Sequence, residues 1–203
     1  MTLVNAVKIN QIYDRKRGKG RMNFKRTSIL VSYVGVFSAL SAGMRLAKHA
    51  ALGSFQFINI PLLFSMLTGA LLGFEAGFGV GLISFLVSDS ILGLGPWTLV
   101  DGIVCGLIGG LWAKVGDVDS VINFVLGYLS ALAYDLITSW ILYMIVGFEP
   151  LEAFLIGFVG LFLPVAGGNA ILIGPLTEVS TALALAIVLP KMRNWFYSFG
   201  YIA

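Results

Sequence analysis

The stretch from Phe57 to Lys114 constrains this chain most, because it strings about three apolar segments of near membrane length between Gly and Pro breaks. It also sets two carboxylates, Asp89 and Asp101, either side of Gly93-Leu94-Gly95-Pro96-Trp97. An ionisable group inside an apolar span costs roughly 2.5–3.5 kcal/mol on insertion scales, so it turns toward a bundle interior or a wet cavity. These aspartates are therefore the first candidates for function.

Composition identifies the solvent. With 58% hydrophobic residues, 11% charged and a mean hydropathy of +0.94, polar surface is too scarce to cover a water-soluble globule. The apolar runs are continuous rather than ten-residue alternations, which excludes a membrane β-barrel and indicates an all-α integral membrane protein.

Gly, Pro and charged residues place the spans at about 27–46, 58–74, 78–93, 97–115, 121–147 and 170–189. The run 151–163 is too short to cross and reads as a capping segment before the last helix. The expected architecture is thus six transmembrane helices over 27–190, with a basic tail at 1–26 and a C-terminal tail at 191–203. Eight of the thirteen Lys and Arg residues lie in the first 26 positions. Beside a first span such a run acts as a cytoplasmic anchor rather than a nucleic-acid arm. Six spans place this tail, Lys114, Lys191 and Arg193 inside, both termini cytoplasmic, and Arg45 and Lys48 outside. Thr27 to Leu46 is too long for the apolar core of a cleaved signal peptide. Met22 is an alternative start to Met1.

Small residues recur at four-residue spacing in Gly35, Ala39 and Gly43, in Gly69, Gly73 and Gly77, and in Gly102, Gly106 and Gly110. Such stripes let helix backbones approach closely in lipid. The last two read as internal packing, whereas the first is equally suited to docking another membrane protein. No phosphate-cradling Gly-x4-Gly-Lys-Ser/Thr loop occurs, nor a Gly-x-Ser-x-Gly or His-Glu-x-x-His arrangement. The chain therefore reads as no enzyme, with no cofactor of its own. Cys105 is the single cysteine and has no disulfide partner, and His49 has no companion ligand for a metal.

What remains is a set of isolated polar and aromatic groups of the kind that converge on small-molecule sites: Arg45, Asn59, Asp89, Trp97, Asp101, Tyr134, Asp135 and Asn169. Each has a structural alternative. Arg45 can snorkel or pair with Asp89 or Asp101, Asp101 and Asn169 can cap the helices they open, and the aromatic rings can anchor at the interface. Asp135, in mid-span, has the fewest structural reasons to be there.

The order of these features resembles the substrate-binding S components of energy-coupling factor (ECF) transporters. The matching residues are Gly35, Ala39 and Gly43 before Arg45; Asn59-Ile60-Pro61; Gly69 to Gly73 with Gly77-Phe78 and Gly81; Ser88-Asp89; Gly95-Pro96-Trp97-Thr98; Tyr134-Asp135 with Thr138; and Gly168-Asn169-Ala170 near Pro175. The resemblance implies a six-helix fold in the cell membrane that binds a vitamin or related micronutrient on its outer side. It also implies separate partners, a transmembrane scaffold subunit and two ATPase subunits, which use the ATP. Gly35, Ala39 and Gly43 would dock the scaffold. Gly-Pro-Trp-Thr and Tyr-Asp look most like the branch linked to cobalamin-type compounds. Two other classes stay open from the residues themselves: a self-contained proton-coupled carrier or channel using Asp89, Asp101 and Asp135 as a relay, and a structural subunit of a membrane complex.

Overall fold

The computed structural model describes residues 3–53, 55–163 and 173–198, and every regular element among them is helical. The chain divides into two units, Met1–Tyr33 and Val34–Ala203. The first is helical from Leu3, where α1 (Leu3–Leu52) begins; the rest of α1 belongs to the second. Then come α2 (Ile60–Leu72), α3 (Phe74–Leu92), α4 (Pro96–Leu111) with a 3-10 turn at Trp112–Lys114, α5 (Ser120–Val146), α6 (Pro150–Gly160) and α7 (Ile173–Ser198).

Five stretches are long and apolar enough to cross a membrane: Thr27–Leu52, Phe74–Leu92, Pro96–Lys114, Ser120–Val146 and Gly174–Phe196. This is the make-up of a multi-pass membrane protein. The second expected span, 58–74, falls short of that length. Helix α2 has 13 residues, about 20 Å at the helical rise, against a hydrocarbon core of about 30 Å. Both of its ends have identifiable causes. Asn59 caps the start with Pro61 in the first turn, and Gly73 closes the end at φ 103, which side-chain-bearing residues avoid. Apolar on all sides, α2 is enclosed by α3, α4 and α7, and Leu62 and Met66 are completely buried.

Helix α6, 11 residues long, occupies the expected position of the short segment before the last helix. It packs on α5, where the Trp140 indole donates to the Pro150 carbonyl at 2.9 Å and Gly157 lies against Ser139. The first connection is shorter than expected. Helix α1 runs on to Leu52, so Lys48 and the exposed His49 stand on its last turns rather than in a loop.

The glycine stripes separate into two kinds. A Cβ on Gly69 would lie 1.8 Å from the Gly109 carbonyl oxygen, one on Gly77 2.7 Å from the same carbonyl, and one on Gly81 2.5 Å from the Gly106 nitrogen. Helices α2, α3 and α4 therefore touch backbone to backbone, as small residues permit in lipid. Ser65 ties the three together, its hydroxyl shared between the carbonyls of Gly77 at 2.8 Å and Cys105 at 3.0 Å. Within the second unit, α1 turns Phe37, Ser38, Ser41 and Ala42 inward, with Phe37 against Phe64. Gly35, Ala39 and Gly43 face outward, and among the described residues nothing lies within 4 Å of a Cβ placed on either glycine.

Candidate functional site

Polar groups gather where α1, α3 and α5 approach their C-terminal ends and α2 and α4 begin. The hollow there has a volume of about 200 Å³, and its wall includes Arg45, Asn59, Phe85, Asp101, Tyr134 and Asp135. Its apolar lining comes from Ile58, Ile60, Pro61 and Leu142. Polar and charged side chains thus dominate the lining, with an apolar and aromatic minority, and convergent polar groups in a hollow are what a small-molecule site needs to fix its ligand.

Arg45 reaches across from α1 to α3. Its Nη1 donates to Ser88 Oγ and to Asp89 Oδ1, and the guanidinium lies 4.5 Å from the centre of the Phe85 ring. The Asp89 side chain is only 2% exposed against 20% for Arg45, so the pair is anchored from the protein side. Phe85 in turn stacks on Tyr134 at 6.4 Å between ring centres, which joins α3 to α5 beneath the hollow. Thr138, one turn beyond Tyr134, returns its hydroxyl to the Tyr134 carbonyl at 2.8 Å.

Asn59 does two jobs. Its Oδ1 accepts from Leu62 N at 3.1 Å as the cap of α2, and its own backbone N–H donates to Thr181 Oγ1 at 2.9 Å. That second bond belongs to a set: Thr177 donates to the Gln56 carbonyl and Ser180 to the Phe57 carbonyl. Three hydroxyls of α7 therefore hold the α1–α2 connection against the bundle, and with it the wall formed by Gln56, Ile58 and Asn59.

Asp101 and Asp135 differ from these. Among the described residues, neither carboxylate hydrogen-bonds or ion-pairs with a side chain, and both line the hollow. Asp101 stands more than a turn inside α4, whose N-cap is Gly95, so the capping alternative for it fails. Asp135 shares its electrostatic surroundings with Asp101 and with Glu178 of α7. Lys48 also faces the hollow and makes no ion pair among the described residues.

Of the residues singled out from the sequence, Arg45, Asn59, Asp101, Tyr134 and Asp135 thus meet in one place. Asp89 does not line that hollow; it holds Arg45 from behind. Trp97 is likewise displaced. Its ring lies over Gly95, 46% exposed, at an adjoining depression of about 240 Å³ that shares Arg45, Lys48 and Gln56 with the main hollow. Asn169, with Gly167 and Gly168, lies outside the described residues.

Several wall residues were not among those picked from the sequence: Lys48, Gln56, Phe85 and Ser139. A further omission is Glu178, 1% exposed, with Oε1 unpartnered and the Tyr128 hydroxyl close by. The cost of a carboxylate inside an apolar span, the rule that singles out Asp135, applies equally to Glu178. No family model, curated protein or solved structure matches the chain. Its function is read from this geometry.

Proposed function

We propose that this chain is the substrate-binding subunit of an ATP-driven importer of the energy-coupling factor type. The observation that carries the reading is the hollow at one end of the bundle, walled by Arg45, Asn59, Asp101, Tyr134 and Asp135 and backed by a stacked Phe85–Tyr134 pair. Charge placement supports its orientation. The hollow lies at the end carrying Arg45 and Lys48, whereas Lys114, Lys191 and Arg193 lie at the other ends of their helices, the arrangement expected if the hollow opens outside. Six crossings of the cell membrane then leave both termini cytoplasmic, with the short α2 completing its passage inside the bundle through its flanking connections.

The outward face of Gly35, Ala39 and Gly43 suits docking of a separate scaffold subunit, to which two ATPase subunits attach and supply the energy. Substrate binds from outside, the connections at that end close over it, and motion of the scaffold tips the subunit so that the site opens inward. A volume of about 200 Å³ favours a small vitamin or precursor over a cobalamin-type compound, which is far larger.

Calorimetry and thermal shift on the purified chain in detergent, against a panel of vitamins and precursors, test the reading. Tight binding of one compound, weakened by Asp135→Ala, together with copurification of a scaffold and ATPases, is the expected result. Absence of binding by folded protein refutes it.

One observation favours a second reading, a self-contained proton-coupled carrier. Glu178 is buried with an unpartnered oxygen and is electrostatically coupled to Asp135. With Asp89 held by Arg45, a relay would run through Asp101, Asp135 and Glu178. Proton-driven uptake into liposomes containing this chain alone would establish the carrier.

A further inference from the structure

The charges around the hollow do not cancel. Arg45 is neutralised by Asp89, which among the described residues leaves Lys48 as the unpaired cation lining the hollow against two carboxylates, Asp101 and Asp135, with Glu178 close behind Asp135. Some charged groups elsewhere in this unit do find partners: Arg193 bonds Asp117 at 3.2 Å and the Val115 carbonyl at 2.9 Å, and Asp119 caps α5 through Ile122 N at 2.8 Å. Asp101 and Asp135 are half-buried, and carboxylates drawn out of water without such partners are costly, a cost that falls when a cation completes them. A neutral donor is also unused. Asn59 is 3% exposed, lines the same hollow, and its Nδ2 has no acceptor.

Resting on the binding-subunit reading, we infer that the ligand is a small molecule carrying a protonated nitrogen, received by Asp101 and Asp135, and an acceptor atom that meets Asn59. The Phe85 and Tyr134 rings give the body of the ligand an aromatic wall. An anionic ligand is disfavoured for the complementary reason: like charges placed together in a site of low dielectric repel strongly, and Lys48 alone does not offset two carboxylates.

Isothermal calorimetry on the full chain in nanodiscs tests this with pyridoxamine as the cationic probe that carries a protonated nitrogen, thiamine as a cationic probe whose charge sits on a quaternary nitrogen, biotin and pantothenate as anionic probes, and riboflavin as a neutral one. The expected result is binding confined to a cationic probe, with Asp101→Asn and Asp135→Asn each weakening it about 10- to 100-fold, the worth of a charge-assisted hydrogen bond. The unliganded Asn variants should melt no lower than the parent, since they remove a half-buried carboxylate that has no side-chain partner among the described residues. Should either variant fail to fold, Lys48→Met gives the same test from the opposite sign: tighter cation binding supports the assignment, and weaker binding overturns it. Tight binding of an anionic or neutral probe that both Asn variants leave unchanged overturns the charge assignment while the binding-subunit reading stands. Binding of no probe by folded protein overturns both.

Discussion

Where α2, α3 and α4 cross, glycine backbones meet and the Ser65 hydroxyl is shared between two carbonyls of neighbouring helices. At the end of the same bundle, Asp101 and Asp135 face a hollow of about 200 Å³, bonded to no side chain among the described residues. The first region shares one hydroxyl between two helices and leaves no room; the second leaves both room and unmet bonds. In a bundle surrounded by lipid, where burial of apolar surface gives little drive between helices, close packing supplies the stability. An unmet polar group is costly there unless a ligand or water completes it.

The contrast can be broken most strongly at the glycine crossing. Gly109→Val would drive a branched side chain into Ser65, whose hydroxyl lies 1.8 Å from a Cβ at that site, and backbone on both sides cannot yield. The expected loss is at the upper end of the overpacking range, about 3 kcal/mol or beyond, seen as collapse of the monodisperse peak in size-exclusion chromatography. Arg45→Ala comes next. It strands Asp89 without its cation, at about 2–3 kcal/mol, somewhat below a fully buried pair because Arg45 is 20% exposed. Thermal melts of Arg45→Met, Asp89→Leu and the double variant should show strong coupling, the double variant recovering most of the loss.

Ser65→Ala sharpens the comparison from the other side, costing about 1–2 kcal/mol for the lost bonds to Gly77 and Cys105 with ligand binding unchanged. Ala39→Leu should have the smallest effect on the melt, under about 0.5 kcal/mol, since the position faces outward. On the scaffold-docking proposal, the same substitution should nevertheless abolish copurification of the scaffold subunit.

Much of the site was legible because charge in an apolar span is conspicuous. Arg45, Asp101 and Asp135 stand out in the sequence for that reason and come together in space. Trp97 misled through its position beside Pro96: a helix that starts at that proline turns the ring outward over Gly95. The length of α2 was hidden because hydropathy stays high from Ile58 to Phe74 while two local signals, the Asn59 cap and the left-handed Gly73, shorten the helix inside that run. The three small-residue stripes look alike in one dimension. Only their neighbours in space show that Gly69 and Gly77 face a helix backbone whereas Gly35 and Gly43 face nothing.

The grip of α7 on the α1–α2 connection has a consequence for how such a protein can change over evolutionary time. Thr177 and Ser180 hold it through the carbonyls of Gln56 and Phe57, and Thr181 through the Asn59 amide. Every one of those attachments is to main chain, which any residue supplies except proline at the amide. The side chains of residues 56 to 58 are thereby released from holding the wall in place. Successive substitutions there can change the lining of the hollow while its shape persists, so that, if the hollow is the binding site proposed above, preference can drift faster than the architecture that supports it.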